Sequence, residues 1–151
     1  MYKELLIQAA TIQRKWGDDL QLPADDVKIA NLIAKSKQIL NIGIPQGYID
    51  FIKITNGYNW NGVFIYPSEK TLYSGTSDKY MAGIIDHNFV FRDPDNMKDF
   101  LLFGEDDLDV YVLKISTGYY EVRDRVPFSN VYYTFNTFAE LAYYALKKSL
   151  S

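Results

Sequence analysis

The spacing of apolar residues changes from a helical to a strand period at Asn56-Gly57, and returns to a helical one near Thr137. A chain patterned in blocks like this segregates its helices from its strands, which is an α+β order rather than alternating βαβ. Leu5, Ala9, Ile12 and Trp16 are spaced 4, 3 and 4 apart, which predicts a first helix with these four on one face. Gly17 stands where a glycine ends such a helix, and residues 17–23 read as a connection. Asp25 or Asp26 is the expected N-cap of a second helix, with Ile29, Leu32, Ile33 and Leu40 on its apolar face and Gly43 as its stop. Pro45 opens a third helix, in which Tyr48, Phe51, Ile52 and Thr55 share a face and Asn56-Gly57 ends the run.

Strand patterns follow. Val63-Phe64-Ile65-Tyr66, Asn88 to Phe91, Phe100 to Phe103, Val110 to Ile115 and Tyr119 to Arg123 are the expected strands. Ser116-Thr117-Gly118 reads as a hairpin turn, and the run from Gly104 to Asp109 as another turn. Residues 67–83 read as a long loop. Thr137 and Glu140 form a capping-box pair for a final helix that buries Phe138, Leu141, Ala142, Ala145 and Leu146.

Composition removes several chemistries. The 151 residues include no cysteine and one histidine, His87. Thiolate nucleophiles, CxxC redox chemistry and Cys-based metal sites are excluded, and so is an HExxH site, which needs two histidines. A serine triad would have to use His87, and no GxSxG accompanies it. No phosphate-binding GxxxxGK[ST] or GxGxxG occurs. The formal net charge of −3 lacks the basic excess of a nucleic-acid binder. The opening apolar run is too short for a signal peptide, and no stretch is long enough to span a bilayer, so a soluble cytoplasmic domain without cofactor is expected.

Two features remain as candidate contacts. Glu105, Asp106, Asp107 and Asp109 put four carboxylates in five positions. The spacing fails as a calcium loop, which leaves an electronegative contact patch or a solvated turn. The chain also carries 13 Tyr, 9 Phe and 2 Trp, with clusters at Tyr58, Asn59, Trp60 and Asn61 and doublets at Tyr119-Tyr120, Tyr132-Tyr133 and Tyr143-Tyr144. In a strand or helix a doublet sends one ring inward and leaves the other for a partner.

The segment Ile44-Pro45-Gln46-Gly47-Tyr48-Ile49-Asp50-Phe51-Ile52-Lys53-Ile54-Thr55-Asn56-Gly57 resembles the signature of the SUKH superfamily, which includes the fungal Smi/Knr cell-wall regulators and many bacterial immunity proteins. Gly62-Val63-Phe64-Ile65-Tyr66-Pro67, Phe103-Gly104-Glu105-Asp106-Asp107, the hairpin through Gly118 and a final helix from Thr134-Phe135 onward follow in the family's order. Asn88, the Phe-Gly-Glu-Asp-Asp block and Asp124-Arg125 resemble a YrhA-like branch. The resemblance covers about residues 26–148 and implies a single domain over 1–151: N-terminal helices, then a curved, largely antiparallel sheet and a C-terminal helix. It also implies a non-enzymatic immunity protein that binds a cognate toxin domain, with a Smi/Knr-type regulatory adaptor as the alternative. Under that reading the expected partner-binding residues are Tyr58, Asn59, Trp60, Asn61, Glu105, Asp106, Asp107, Asp109, Tyr119 and Tyr120; no catalytic residue and no metal ligand is expected.

Overall fold

The ring of Phe138 meets four others, Phe103 at 5.1 Å, Tyr48 at 5.6 Å, Phe51 at 5.9 Å and Tyr120 at 6.1 Å between centroids. These rings come from two helices and two strands of a computed structural model that describes residues 1–76 and 78–151. The helices are α1 (Tyr2–Lys15), α2 (Asp26–Lys35), α3 (Gln46–Ile52), α4 (Ile84–Phe91) and α5 (Phe138–Leu150). A π-helical turn, Ser36–Leu40, extends α2. The strands are β1 (Tyr58–Trp60), β2 (Val63–Ile65), β3 (Thr71–Leu72), β4 (Tyr80–Met81), β5 (Phe100–Glu105), β6 (Asp109–Lys114), β7 (Tyr119–Asp124) and β8 (Val131–Phe135).

Six strands form one antiparallel sheet in the order β1-β2-β5-β6-β7-β8, and β3 and β4 form a separate hairpin. The fold is therefore α+β, as the blockwise pattern predicts. Helix α5 packs across the sheet and against α1 and α3. Gly47 lets it come close: a Cβ there would lie 2.9 Å from the Cβ of Phe138.

Local chemistry accounts for much of this. Asp25 caps α2 by accepting from the Lys28 amide at 2.8 Å. Thr137 caps α5 by accepting from the Glu140 amide at 3.2 Å. The five expected inward positions of α5 are all buried. So are Tyr48, Phe51 and Ile52 on α3, and Thr55, which lies beyond the helix because α3 ends at Ile52 rather than at Asn56-Gly57. Asn61 and Gly62 take positive φ, the geometry that closes the two-residue β1–β2 hairpin.

Other expectations are corrected. In α1 the buried residues are Tyr2, Leu6, Ala9, Ala10 and Gln13, and Trp16 is 78 % exposed. Ile33 is exposed, and the end of the second helix is Asn41, at φ 56, rather than Gly43. The expected strand from Asn88 to Phe91 belongs to α4. Residues 67–83 carry the β3–β4 hairpin. The stretch from Thr134 is the end of a strand, β8, and α5 begins at Phe138.

The helical state of α4 has a tertiary cause. Strand β2 covers only the last part of β5, through Phe64↔Glu105 and Ile65↔Gly104. Beyond it, the buried Asn88 side chain donates to the Leu102 carbonyl and accepts from the Leu102 amide, both at 2.8 Å. One side chain thus takes the two ladder bonds that a neighbouring strand would have made.

Candidate functional site: an acidic turn joined to an aromatic cleft

The turn between β5 and β6 is built around Asp106. Its Oδ1 accepts from the amides of Leu108 at 3.0 Å and Asp109 at 2.9 Å, which folds the turn back on itself. Its Oδ2 accepts from the Tyr111 hydroxyl at 2.6 Å and from the Lys148 ammonium at 2.7 Å. Lys148 also reaches Asp109 at 3.3 Å. Burial alone would push the Asp106 carboxyl up, but the bonds from Lys148, Tyr111 and the two amides outweigh it and hold it below the ordinary carboxylate value. Tyr111 is pushed well above its usual range by burial and by Asp106. Glu105 pairs with Arg125 at 3.0 Å. Asp107 is exposed and lies alongside Gly62 of the β1–β2 turn.

The expected contact residues therefore divide. The structure brings the β1–β2 hairpin next to the acidic turn, so Asn61 and Asp107 share one end of the sheet. Asn61 anchors there by donating to the Ser149 carbonyl at 3.2 Å. Asn59, Trp60 and Glu105 are half-buried. Tyr58, Asp106, Asp109 and Tyr120 are buried, and this removes them from the surface. Tyr58 is part of the core, with its hydroxyl 2.8 Å from the Ser149 hydroxyl, and Asp106 and Asp109 serve the turn and Lys148. Tyr119 is exposed but lies apart: it pairs with Lys114, five residues along β6 from Asp109, roughly 17 Å away.

On the other side of Lys148 lies a cleft of about 560 Å³ that the expected set did not include. Its walls are Tyr133 and Phe135 of β8 and Tyr143 and Tyr144 of α5. Tyr133 and Tyr144 stand 5.0 Å apart between centroids, and Phe135 and Tyr144 6.0 Å. Lys147 places its ammonium 5.7 Å from the Tyr143 ring. Strand β8 is an edge of the sheet, contains no charged residue, and leaves Tyr132 and Tyr133 each 52 % exposed. The signal for this surface in the sequence is the pair of tyrosine doublets, which share the cleft through their second members and through Tyr143.

The chain matches no protein-family model, and no curated protein is significantly similar to it. Among the described residues, no helix is long and apolar enough to cross a membrane. His87 stands apart from the cleft, stacked on the buried Tyr66 at 3.6 Å and 8°. Burial holds its imidazole below the ordinary value, while the nearby carboxylates of Glu105 and Asp86 act in the opposite sense. The geometry suits recognition: an open aromatic cleft, an adjoining free sheet edge, and an acidic turn at its margin.

Proposed function

We propose that this protein is a non-enzymatic immunity protein that binds and neutralises a cognate bacterial toxin domain in the cytoplasm of the producing cell. The observation that carries the reading is the solvent-open cleft of Tyr133, Phe135, Tyr143 and Tyr144 beside the uncharged edge strand β8. Tyrosines offer large contact area with little side-chain entropy to lose, and clusters of them form the energetic centre of protein interfaces. The net charge of −3 and the exposed Asp107 favour a basic partner, such as a nuclease domain, by steering its approach. The resemblance to SUKH immunity proteins supports the choice of a toxin as that partner. Inhibition would follow from occlusion, since docking along β8 and α5 covers the toxin's substrate groove without any chemistry in this chain.

The test is co-expression with a candidate toxin domain, sought among the genes beside this one, scored by rescue of growth and by co-purification. Rescue with a stable complex is expected, and Tyr133→Ala should weaken binding by about thirtyfold. Absence of rescue, or a complex indifferent to Tyr133→Ala, would overturn the reading; co-purification with a host regulator and no toxin dependence would favour a Smi/Knr-type adaptor.

A further inference from the structure

The middle of α5 reads almost the same in both directions. From Glu140 to Lys147 the order is Glu-Leu-Ala-Tyr-Tyr-Ala-Leu-Lys, a palindrome apart from the opposite charges at its ends. Leu141, Ala142, Ala145 and Leu146 are buried in the core. Glu140, Tyr143, Tyr144 and Lys147 remain, spaced 3, 1 and 3 apart, which sets them on one outer stripe of the helix. All four line the aromatic cleft.

The charges at the two ends of the stripe are unmatched. Glu140 and Lys147 join no ion pair among the described residues. Glu140 accepts only from the Thr137 hydroxyl, at 3.3 Å, and Lys147 lies 5.7 Å from the Tyr143 ring. They cannot reach each other, because seven residues of helix separate them by roughly 10 Å along the axis. The neighbouring Lys148 is already held by Asp106 and Asp109.

An antiparallel copy of the same stripe matches every one of these groups. With a two-fold axis between Tyr143 and Tyr144, Glu140 of each copy stands opposite Lys147 of the other, and Tyr143 opposite Tyr144. A parallel arrangement would set like charge against like. Strand β8 is the other free element on this side, but its pairing with β7 steps from Val122↔Tyr133 to Arg123↔Val131 and leaves Tyr132 as an extra residue. Two bulged edges align poorly, so the helix stripe carries the contact between copies.

We infer that the cleft is closed by a second copy of this chain, in a homodimer built on antiparallel α5 stripes. The interface is isologous, so each ion pair occurs twice. The rings supply contact area, and the charges set direction and register. The dimer stands apart from the toxin reading; on that reading, the second copy and the toxin compete for the same rings.

The test is sedimentation equilibrium of the full chain with no other protein present. A concentration-dependent dimer is expected. Glu140→Lys and Lys147→Glu should each weaken self-association about tenfold or more, since each sets like charges together at both pairs. An equimolar mixture of the two variants should dimerise again, because every contact across the mixed pair joins opposite charges. A loss of helix stability in either variant cannot imitate that recovery. Lys147→Gln, which removes the charge and suits a helix, should weaken the dimer about fivefold and keeps the test open if a reversal unfolds α5. A wild-type chain that stays monomeric at millimolar concentration, a dimer indifferent to Lys147→Gln, or folded reversal variants that stay monomeric when mixed would overturn the proposal.

Discussion

Lys148, in the last turn of α5, places its ammonium 2.7 Å from the carboxylate of Asp106, whose side chain is only 6 % exposed. Removing the cation strands a largely buried charge. Lys148→Met should cost about 1–2 kcal/mol, a figure kept low because the lysine itself is more than one-third exposed. Urea denaturation checks it. The same substitution should alter the acid limb. Asp106 titrates below its unfolded value of about 3.9, so its contribution is full above that pH and is lost as pH falls through the lower folded value. Without Lys148 that loss shrinks.

Asn88→Ala should be among the most damaging single changes in the molecule. It leaves the amide and carbonyl of Leu102 without partners in a buried setting. A cost of about 2–4 kcal/mol is expected, read from the denaturation midpoint at unchanged slope.

His87 sets a pH dependence of its own. Burial pushes its imidazole below the ordinary value, while Glu105 and Asp86 pull the other way. The folded state disfavours the charged ring, so the unfolded chain takes up the proton first as pH drops below about 6.5. Stability is full above that pH and is lost as pH falls through the lower folded value. His87→Phe keeps an aromatic ring against Tyr66 and removes the titration. Thermal melts between pH 7.5 and 5 should show a flatter profile for the variant, and parallel profiles would exclude His87 as the source.

Gly104 marks the register shift in the β5–β6 pairing, where β2 also crosses closest. A Cβ there would overlap the Phe64 carbonyl oxygen and press on the Ile65 Cα at 3.1 Å. Both are backbone atoms and cannot rotate away. Gly104→Ala should cost about 3 kcal/mol and separate β2 from β5, visible as lost amide protection in β1 and β2.

Asp107 is the clean probe of steering by the acidic turn. It is exposed, and among the described residues it joins no ion pair. Asp107→Asn should leave the melting temperature unchanged and reduce the salt dependence of association with the proposed toxin partner. An identical salt slope would remove the turn from the encounter. Replacing Asp106 would not serve, because it unmakes the turn itself.

The legible parts of the fold are those decided locally. A capped helix with a clean stripe, as at Tyr48, Phe51 and Ile52, declares itself, and so does the Thr137 cap of α5. Segments decided by distant neighbours do not. Residues 84–91 are rich in Ile, Val and Phe and have a strand's composition, yet Asn88 finds its partners on β5 only from a helix. Strand β8 is not legible because its residues are exposed on both faces here, from Val131 to Thr134, and leave no alternation to read.

The site was legible by type and not by position. Four carboxylates in a short run do announce a turn. Which of them face water depends on Lys148, 42 residues from Asp106, and no local pattern encodes that pairing. The tyrosine doublets pointed to exposed rings, but only the packing of α5 against β8 turns Tyr133 and Tyr144 into walls of one cleft.

The ring at the centre of the core arrives late in synthesis. Tyr48, Phe51, Phe103 and Tyr120 all precede Phe138, and none can be sealed until α5 docks. During translation the apolar stripe of α3 therefore waits through the whole sheet for its cover, and the nascent chain carries sticky, unfinished surface for most of that time. A pause in synthesis before residue 138 would lengthen that exposure.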